Sequence, residues 1–290
     1  MRNLARHQTF LGMLLTLYSK DWFRAAVRPF LPKPTNKTYV FVIGCYSSGT
    51  TLLDNILSAH EEISNLPSEG QVLTGQLSAP EDFGWNRMWC MCQDKLEISK
   101  LANKPDADLL KREWSFWFDP KKLIWLEKSI INSLNIDWIE EYFDSPYFIW
   151  IVRNGYAVSE GIQRRTKDAG KHPPQYPEGY PIKMCARQWA VSNQVIEDKL
   201  ASVKYYIKVS YEELTRYTQE TINRILTWLP MKNKSITIPL EFTFHKQKSK
   251  IRNMNQESIE RLSKQEIDSI TDVAGEMLKH HGYKIIGDSP

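Results

Sequence analysis

Apolar residues fall along this chain in two rhythms. Four short runs are almost continuously apolar, β-branched or aromatic: 38–43 (TYVFVI), 122–128, 145–154 and 203–210. They predict buried strands. Between and after them apolar residues recur every three to four positions, which predicts helices over 50–60, 129–143, 156–167, 184–200, 212–229 and 256–281. In the first of these Leu52, Leu53, Ile56 and Leu57 share one face. Strands alternating with helices give an α/β fold, a central parallel sheet with helices on both faces. The stretch 70–120 follows neither rhythm and reads as short helices over an opening. The Pro/Gly-rich piece 167–181 reads as a mobile surface loop. FLPKPTNK (30–37) separates an N-terminal helical extension, 1–37, from a single domain over 38–290.

The extension admits two readings. Its apolar run Phe10–Tyr18 is about half the length that spans a bilayer. It carries no small-residue cleavage site, so a signal peptide is not expected. Arg2, Arg6, Lys20, Arg24 and Arg28 flank or interleave apolar residues. Residues 1–30 would then make peripheral contact with a membrane as an amphipathic helix, or pack on the body of the domain. We favour packing.

Composition narrows the class. With 42% hydrophobic and 25% charged residues the chain is an ordinary soluble globular protein. A net charge of +4 is too mild to argue for nucleic acid and suits a small anionic ligand. The four cysteines have no metal-knuckle spacing, because Cys90 and Cys92 stand too close. They read as reduced thiols of a cytoplasmic protein.

The strand at 38–43 runs into GCYSSGTT (44–51). Gly44 and Gly49 are spaced as in a phosphate-binding loop, but Thr50 stands where that loop has its lysine and Thr51 holds the hydroxyl position. A strand–loop–helix points backbone N–H groups and a helix N-terminus at one anion. Ser47, Ser48, Thr50 and Thr51 add hydroxyls. Without the lysine the main clamp on a γ-phosphate is gone. The loop then suits one phosphate beside a group of lower charge. A second anion site follows the strand at 145–154, where Arg153 precedes an Asn154-Gly155 turn and a helix. Ligands of open parallel sheets lie beyond the carboxyl ends of strands. The two sites therefore share one edge and imply a ligand with two separated anionic groups.

At these residues the chain resembles the PAPS-dependent sulfotransferases, whose donor is 3′-phosphoadenosine 5′-phosphosulfate. GCYSSGTTLL (44–53) is similar to the family's 5′-phosphosulfate loop, IVRNGYAV (151–158) to its 3′-phosphate segment, and LEKSI (126–130) to its Glu-Lys-Ser/Thr segment. VSYEELTRYTQETINRIL (209–226) and KSKIRNMN…RLSKQEI (248–267) resemble its later segments, in family order. The resemblance covers about residues 38–283 and implies a P-loop NTPase-like sulfotransferase fold. It implies that Ser47, Ser48, Gly49, Thr50 and Thr51 wrap the 5′-phosphosulfate and that Arg153 binds the 3′-phosphate. It adds Arg165, Tyr211 and Arg252 as further donor contacts. Glu69, 22 residues after Ser47, matches the catalytic glutamate of glycan- and tyrosyl-type members, and Lys128 the lysine near the sulfuryl group. Two departures stand out. The loop's basic residue is Ser47, and the serine eight residues after the strand-end arginine is Gly161, with Ser159 out of register.

Sulfuryl transfer needs alignment, charge neutralisation and proton removal. It needs no metal, since the sulfuryl group carries less charge than a phosphoryl group. Glu69 is expected as general base and Lys128 as stabiliser of the leaving oxygen. The basic run 245–252 (HKQKSKIR) is expected to close over the 3′-phosphate through Arg252. Acceptors from small alcohols to glycans, lipids and peptide tyrosines all fit this chemistry. Two rivals remain: a P-loop kinase, which wants a lysine at Thr50 and an acidic Mg²⁺ ligand, and a non-catalytic nucleotide binder on the same scaffold.

Overall fold

A computed structural model describes residues 2–170, 172–236, 238, 242–244 and 247–287. Met1, Lys171, residues 237, 239–241 and 288–290, and His245 and Lys246 of the basic run 245–252 lie outside it.

Two helices, α1 (Arg2–Tyr18) and α2 (Asp21–Val27), open the chain, and a 3₁₀ turn (Arg28–Phe30) ends the extension. Strand β1 (Thr38–Gly44) runs into α3 (Thr50–Leu57) and β2 (Ile63–Asn65). Short 3₁₀ turns, α4 (Gln93–Leu96) and α5 (Ala107–Ser115) fill the irregular region, as its lack of periodicity predicts. Then come β3 (Ile124–Glu127), α6 (Ile136–Tyr142), β4 (Tyr147–Val152), α7 (Gly155–Asp168), α8 (Ile182–Leu200) and β5 (Tyr206–Ser210). Helices α9 (Tyr211–Arg216) and α10 (Thr218–Trp228), a hairpin of β6 (Phe242–Phe244) and β7 (Gln247–Ser249), α11 (Asn255–Ile259) and α12 (Lys264–His280) complete it.

The main sheet has the order β2-β3-β1-β4-β5 with every pair parallel. Alternation along β1 builds a core on each face. Tyr39, Phe41 and Ile43 join Leu110 and Trp114 of α5, Trp138 and Ile139 of α6 and Ile196 of α8. Val40 and Val42 join Leu53 and Ile56 of α3 and Ile222 and Ile225 of α10. The expected sheet with helices on both faces is what the chain forms.

Three expected helices are broken in two. Asn135 divides 129–143 into a 3₁₀ turn and α6, because its side chain bonds Ile98 N and the carbonyls of Leu96 and Ile131. Tyr217 separates α9 from α10. Ser263 starts α12 with a reciprocal capping box to Glu266. The Asn154-Gly155 turn is a helix cap: Asn154 Oδ1 accepts from Tyr156 N at 3.0 Å and begins α7.

The extension packs on the body through its polar side. Tyr18 is fully buried and its hydroxyl donates to Glu113 O at 2.7 Å. Arg28 pairs with the buried Glu113 carboxylate at 2.7 Å, Arg24 lies 3.9 Å from it, and Gly75 N donates to it at 3.1 Å. Among the described residues no helix is long and apolar enough to cross a membrane. The four cysteines are free.

Candidate active site

Because all five strands are parallel, their carboxyl ends open on one edge. Residues just beyond four of those ends line one cleft of about 710 Å³, and the residue after the fifth, Tyr211, stacks on its Arg153 wall. The strand order reverses beside β1, the place where such sheets hold ligands.

The loop after β1 is closed from within. Ser48 donates twice to Cys45 O, from its amide at 3.2 Å and its hydroxyl at 2.6 Å. Ser48 is thus buried and shapes the loop, while Ser47, Gly49, Thr50 and Thr51 line the cleft. Gly49 sits at φ +100, and a Cβ there would lie 2.7 Å from the Tyr211 ring. No other residue fits both demands. The amides of Thr50, Thr51 and Leu52 fall in the first turn of α3, where N–H groups have no intrahelical acceptor. Ser47 Oγ is buried without a hydrogen-bond partner. Ser47 lines the cleft with its hydroxyl toward Gly161, and the unpaired amides of α3 fit an anion.

Ser47 (φ 62) rests on α7, where a Cβ added to Gly161 would come within 3.0 Å of the Ser47 Cβ. The two departures from the resembled pattern therefore touch. A glycine on α7 makes room for the loop at residue 47. Ser159 bonds Gly155 O at 2.7 Å and is fully buried, so it does not take over the place of the missing serine.

Arg153 follows β4 and turns toward the loop. Its Nη1 donates to Ser47 O and its Nε to Asn255 Oδ1, both at 2.8 Å. Its guanidinium stands 4.2 Å over the Tyr211 ring. Burial lowers its pKa, though an arginine stays charged. Tyr211 ties in the C-terminal segment, donating to Arg252 O at 3.1 Å and accepting from Met254 N at 3.2 Å. The Arg252 side chain itself pairs with Glu257 outside the cleft.

Arg165 lines the cleft one helical turn beyond Gly161. Burial first, then the nearby Arg87, push it down to about 10. Arg87 also lines the cleft, 5.8 Å from the Tyr46 ring centroid. Neither arginine forms an ion pair among the described residues. Arg87 lies in the irregular stretch, with no motif in the sequence to single it out.

Opposite the loop, Lys128 Nζ lies 2.8 Å from Glu69 Oε1, and Gln71 Nε2 donates to Glu69 Oε2 at 2.7 Å. The backbone beside both is fixed by one buried carboxylate. Glu127, ending β3, accepts Gly70 N at 2.8 Å, and the Trp114 indole donates to Gly70 O at 3.0 Å. A Cβ at Gly70 would lie 2.5 Å from Trp114 and 2.7 Å from Glu127. Glu127 is raised to about 7 by burial. Asp54, on the loop-side helix α3, also lines the cleft; burial raises it to about 6 against the pull of Lys128 and of Asn65, which donates at 3.3 Å. Among the described residues no cluster of three His, Cys, Asp or Glu could hold a metal.

Solved structures share this fold. STF9 from Mycobacterium avium, a sulfotransferase, aligns with a TM-score of 0.52 at 11% identity, over 91% of this chain and 81% of its own. Mouse sulfotransferase SULT7A1, complexed with PAP, gives 0.47 at 12% identity over 88% and 92%. The sulfotransferase domain of the Synechococcus PCC 7002 olefin synthase gives 0.46 at 23% identity over 68% and 76%. No curated protein matches the sequence. The sequence model of the sulfotransferase family matches residues 40–233, well over half of the chain. With the loop, the strand-end arginine and the parallel sheet all in place, the chain belongs to the sulfotransferase family.

Proposed function

We propose that the chain transfers the sulfuryl group of PAPS to a hydroxyl or amine acceptor, in line and without a covalent enzyme intermediate. One observation carries this reading: Arg153 donates to the carbonyl of Ser47. A guanidinium and a lysine-free anion loop thus stand together on one cleft edge, which supports a nucleotide that carries two anionic groups.

The loop amides with Ser47, Thr50 and Thr51 hold the 5′-phosphosulfate. Arg153, stacked on Tyr211 and braced by Asn255, takes the 3′-phosphate with Arg165. Arg252 reaches the same phosphate only by leaving Glu257. Arg87 restores the positive charge that Ser47 removes from the sulfuryl end. Glu69 accepts the acceptor's proton as the acceptor oxygen or nitrogen bonds to sulfur. The bond from sulfur to the 5′-phosphate oxygen breaks, and Lys128 neutralises that oxygen. Residues 38–290 act as one domain, with 1–37 as its extension.

Calorimetric titration tests the donor. The desulfated nucleotide, PAP (adenosine 3′,5′-bisphosphate), is expected to bind and ATP·Mg to bind at least tenfold more weakly. Tighter ATP·Mg binding would favour the kinase reading. Transfer of labelled sulfate to any member of an acceptor panel separates a catalyst from a mere binder.

A further inference from the structure

Helix α2 is turned inside out. Its Arg24 is 5% exposed and its neighbour Arg28 is drawn to the buried Glu113, so its cations face the body. Trp22, Ala25, Ala26, Pro29 and Phe30 recur at helical spacing and are exposed, Trp22 by 65% and Phe30 by 85%. On α1, Phe10 and Met13, three apart, are 60% and 56% exposed. Inward, the rings of Trp22, Phe23, Tyr18 and Phe116 form a chain with centroid separations of 5.7, 6.2 and 5.0 Å, anchoring the outer aromatics to the body. A helix that faces water shows the reverse polarity. Large apolar side chains gathered at one place mark a contact surface.

Charge selects the occupant. Residues 1–37 hold seven lysines and arginines against the single acid Asp21, a net +6. The whole chain is +4, so everything beyond residue 37 carries −2. Of these cations Lys20 and Lys33 are exposed and flank the apolar residues in sequence, and the exposed Asp21 is paired with Arg24. An outward apolar face flanked in sequence by lysines, on a body of opposite net charge, matches an anionic lipid surface. We propose that α1, α2 and the turn at Arg28–Phe30 dock this protein on the face of an anionic bilayer. The packed and membrane-bound readings of the extension are then the two sides of one element.

Co-sedimentation of the full chain with vesicles tests this without reference to donor or turnover, so it stands or falls apart from the sulfotransferase reading. Binding is expected to phosphatidylcholine vesicles containing about a third phosphatidylserine, and to fall at least tenfold in 0.5 M salt. Trp22→Ala with Phe30→Ala, and separately Lys20→Gln with Lys33→Gln, should each cost at least tenfold in partitioning, with unchanged thermal melting. No binding, equal binding to neutral vesicles, or indifference to both variants would overturn the proposal. So would a concentration-dependent dimer that Trp22→Ala/Phe30→Ala dissolves in the absence of vesicle binding, which assigns the face to a second copy.

Discussion

Lys128 Nζ lies 2.8 Å from Glu69 Oε1, so the proposed base and the proposed stabiliser of the leaving oxygen hold each other. In the proposed reaction the donor separates them. An anion in the loop draws Lys128 toward the leaving oxygen and frees Glu69 Oε1 for the acceptor's proton. Gln71 stays on the other carboxylate oxygen and keeps its orientation. Glu127 and Trp114 clamp Gly70, so the backbone beside both groups need not move.

Glu69→Gln therefore removes the proton acceptor and leaves the nucleotide's contacts intact. Turnover should fall about 10²–10⁴-fold. Affinity for PAP, read by calorimetry, should stay within about threefold. A parallel loss of affinity and turnover would place Glu69 in donor binding instead.

Arg87→Ala should weaken PAPS binding about tenfold, the worth of one charge-assisted contact. Adding Ser47→Arg returns a cation to the loop and should recover much of the loss. Titrating single and double variants checks this. Unchanged affinity in Arg87→Ala would remove Arg87 from the donor site.

The parts of this site that were legible in the sequence are those written in consecutive residues. The strand running into Gly44 and Gly49, and Arg153 at the end of a strand, carry their geometry in local order. Glu69 and Lys128 came from the resemblance, and the structure brings the two together. Arg87 and Asp54 come from an irregular stretch and from the face of an ordinary helix, and only the tertiary fold turns them into the cleft. β2, Ile63–Asn65, is three residues of mixed polarity at the sheet edge, too short for any rhythm. The break at Asn135 depends on partners up to 39 residues away. The capping box at Ser263 was readable, since serine with glutamate three residues on is its signature. Hydrophobic spacing found the α1–α2 extension but could not say which face meets water.

Asp54 makes the site pH-sensitive. Burial raises its carboxyl to about 6. An ionised Asp54 repels a bound anion, so affinity should be highest where Asp54 is protonated and fall as pH rises through about 6. The nucleotide's own phosphates titrate nearby, and Asp54→Asn isolates the protein's share. The Asn variant should bind PAP more tightly than the parent at pH 7.5 and equally at pH 5. For the fold the sign agrees. The native state holds this proton at pH values where the unfolded chain, near its ordinary value of about 4, has lost it. Stability contributed by the raised pKa is thus present at low pH and lost as pH rises from about 4 to 6. Urea melts of the Asn variant should lack that decline.

Glu113 holds the extension. Its buried carboxylate faces Arg28, Arg24, Thr74 Oγ1 and Gly75 N. Glu113→Ala leaves Arg28 without its counter-charge and Arg24 with the exposed Asp21 alone, and should destabilise the protein by about 1–3 kcal/mol in urea unfolding. Glu113→Gln keeps the acceptor for Gly75 and should cost less.

The central claim is one cleft that grips a nucleotide at both phosphates, and a crystal structure with bound PAP tests it most directly. The 5′-phosphate should lie on the amides of 49–52 and the 3′-phosphate on Arg153, with Lys128 drawn off Glu69. PAP bound away from this loop, or with its 3′-phosphate out of reach of Arg153, would contradict the account.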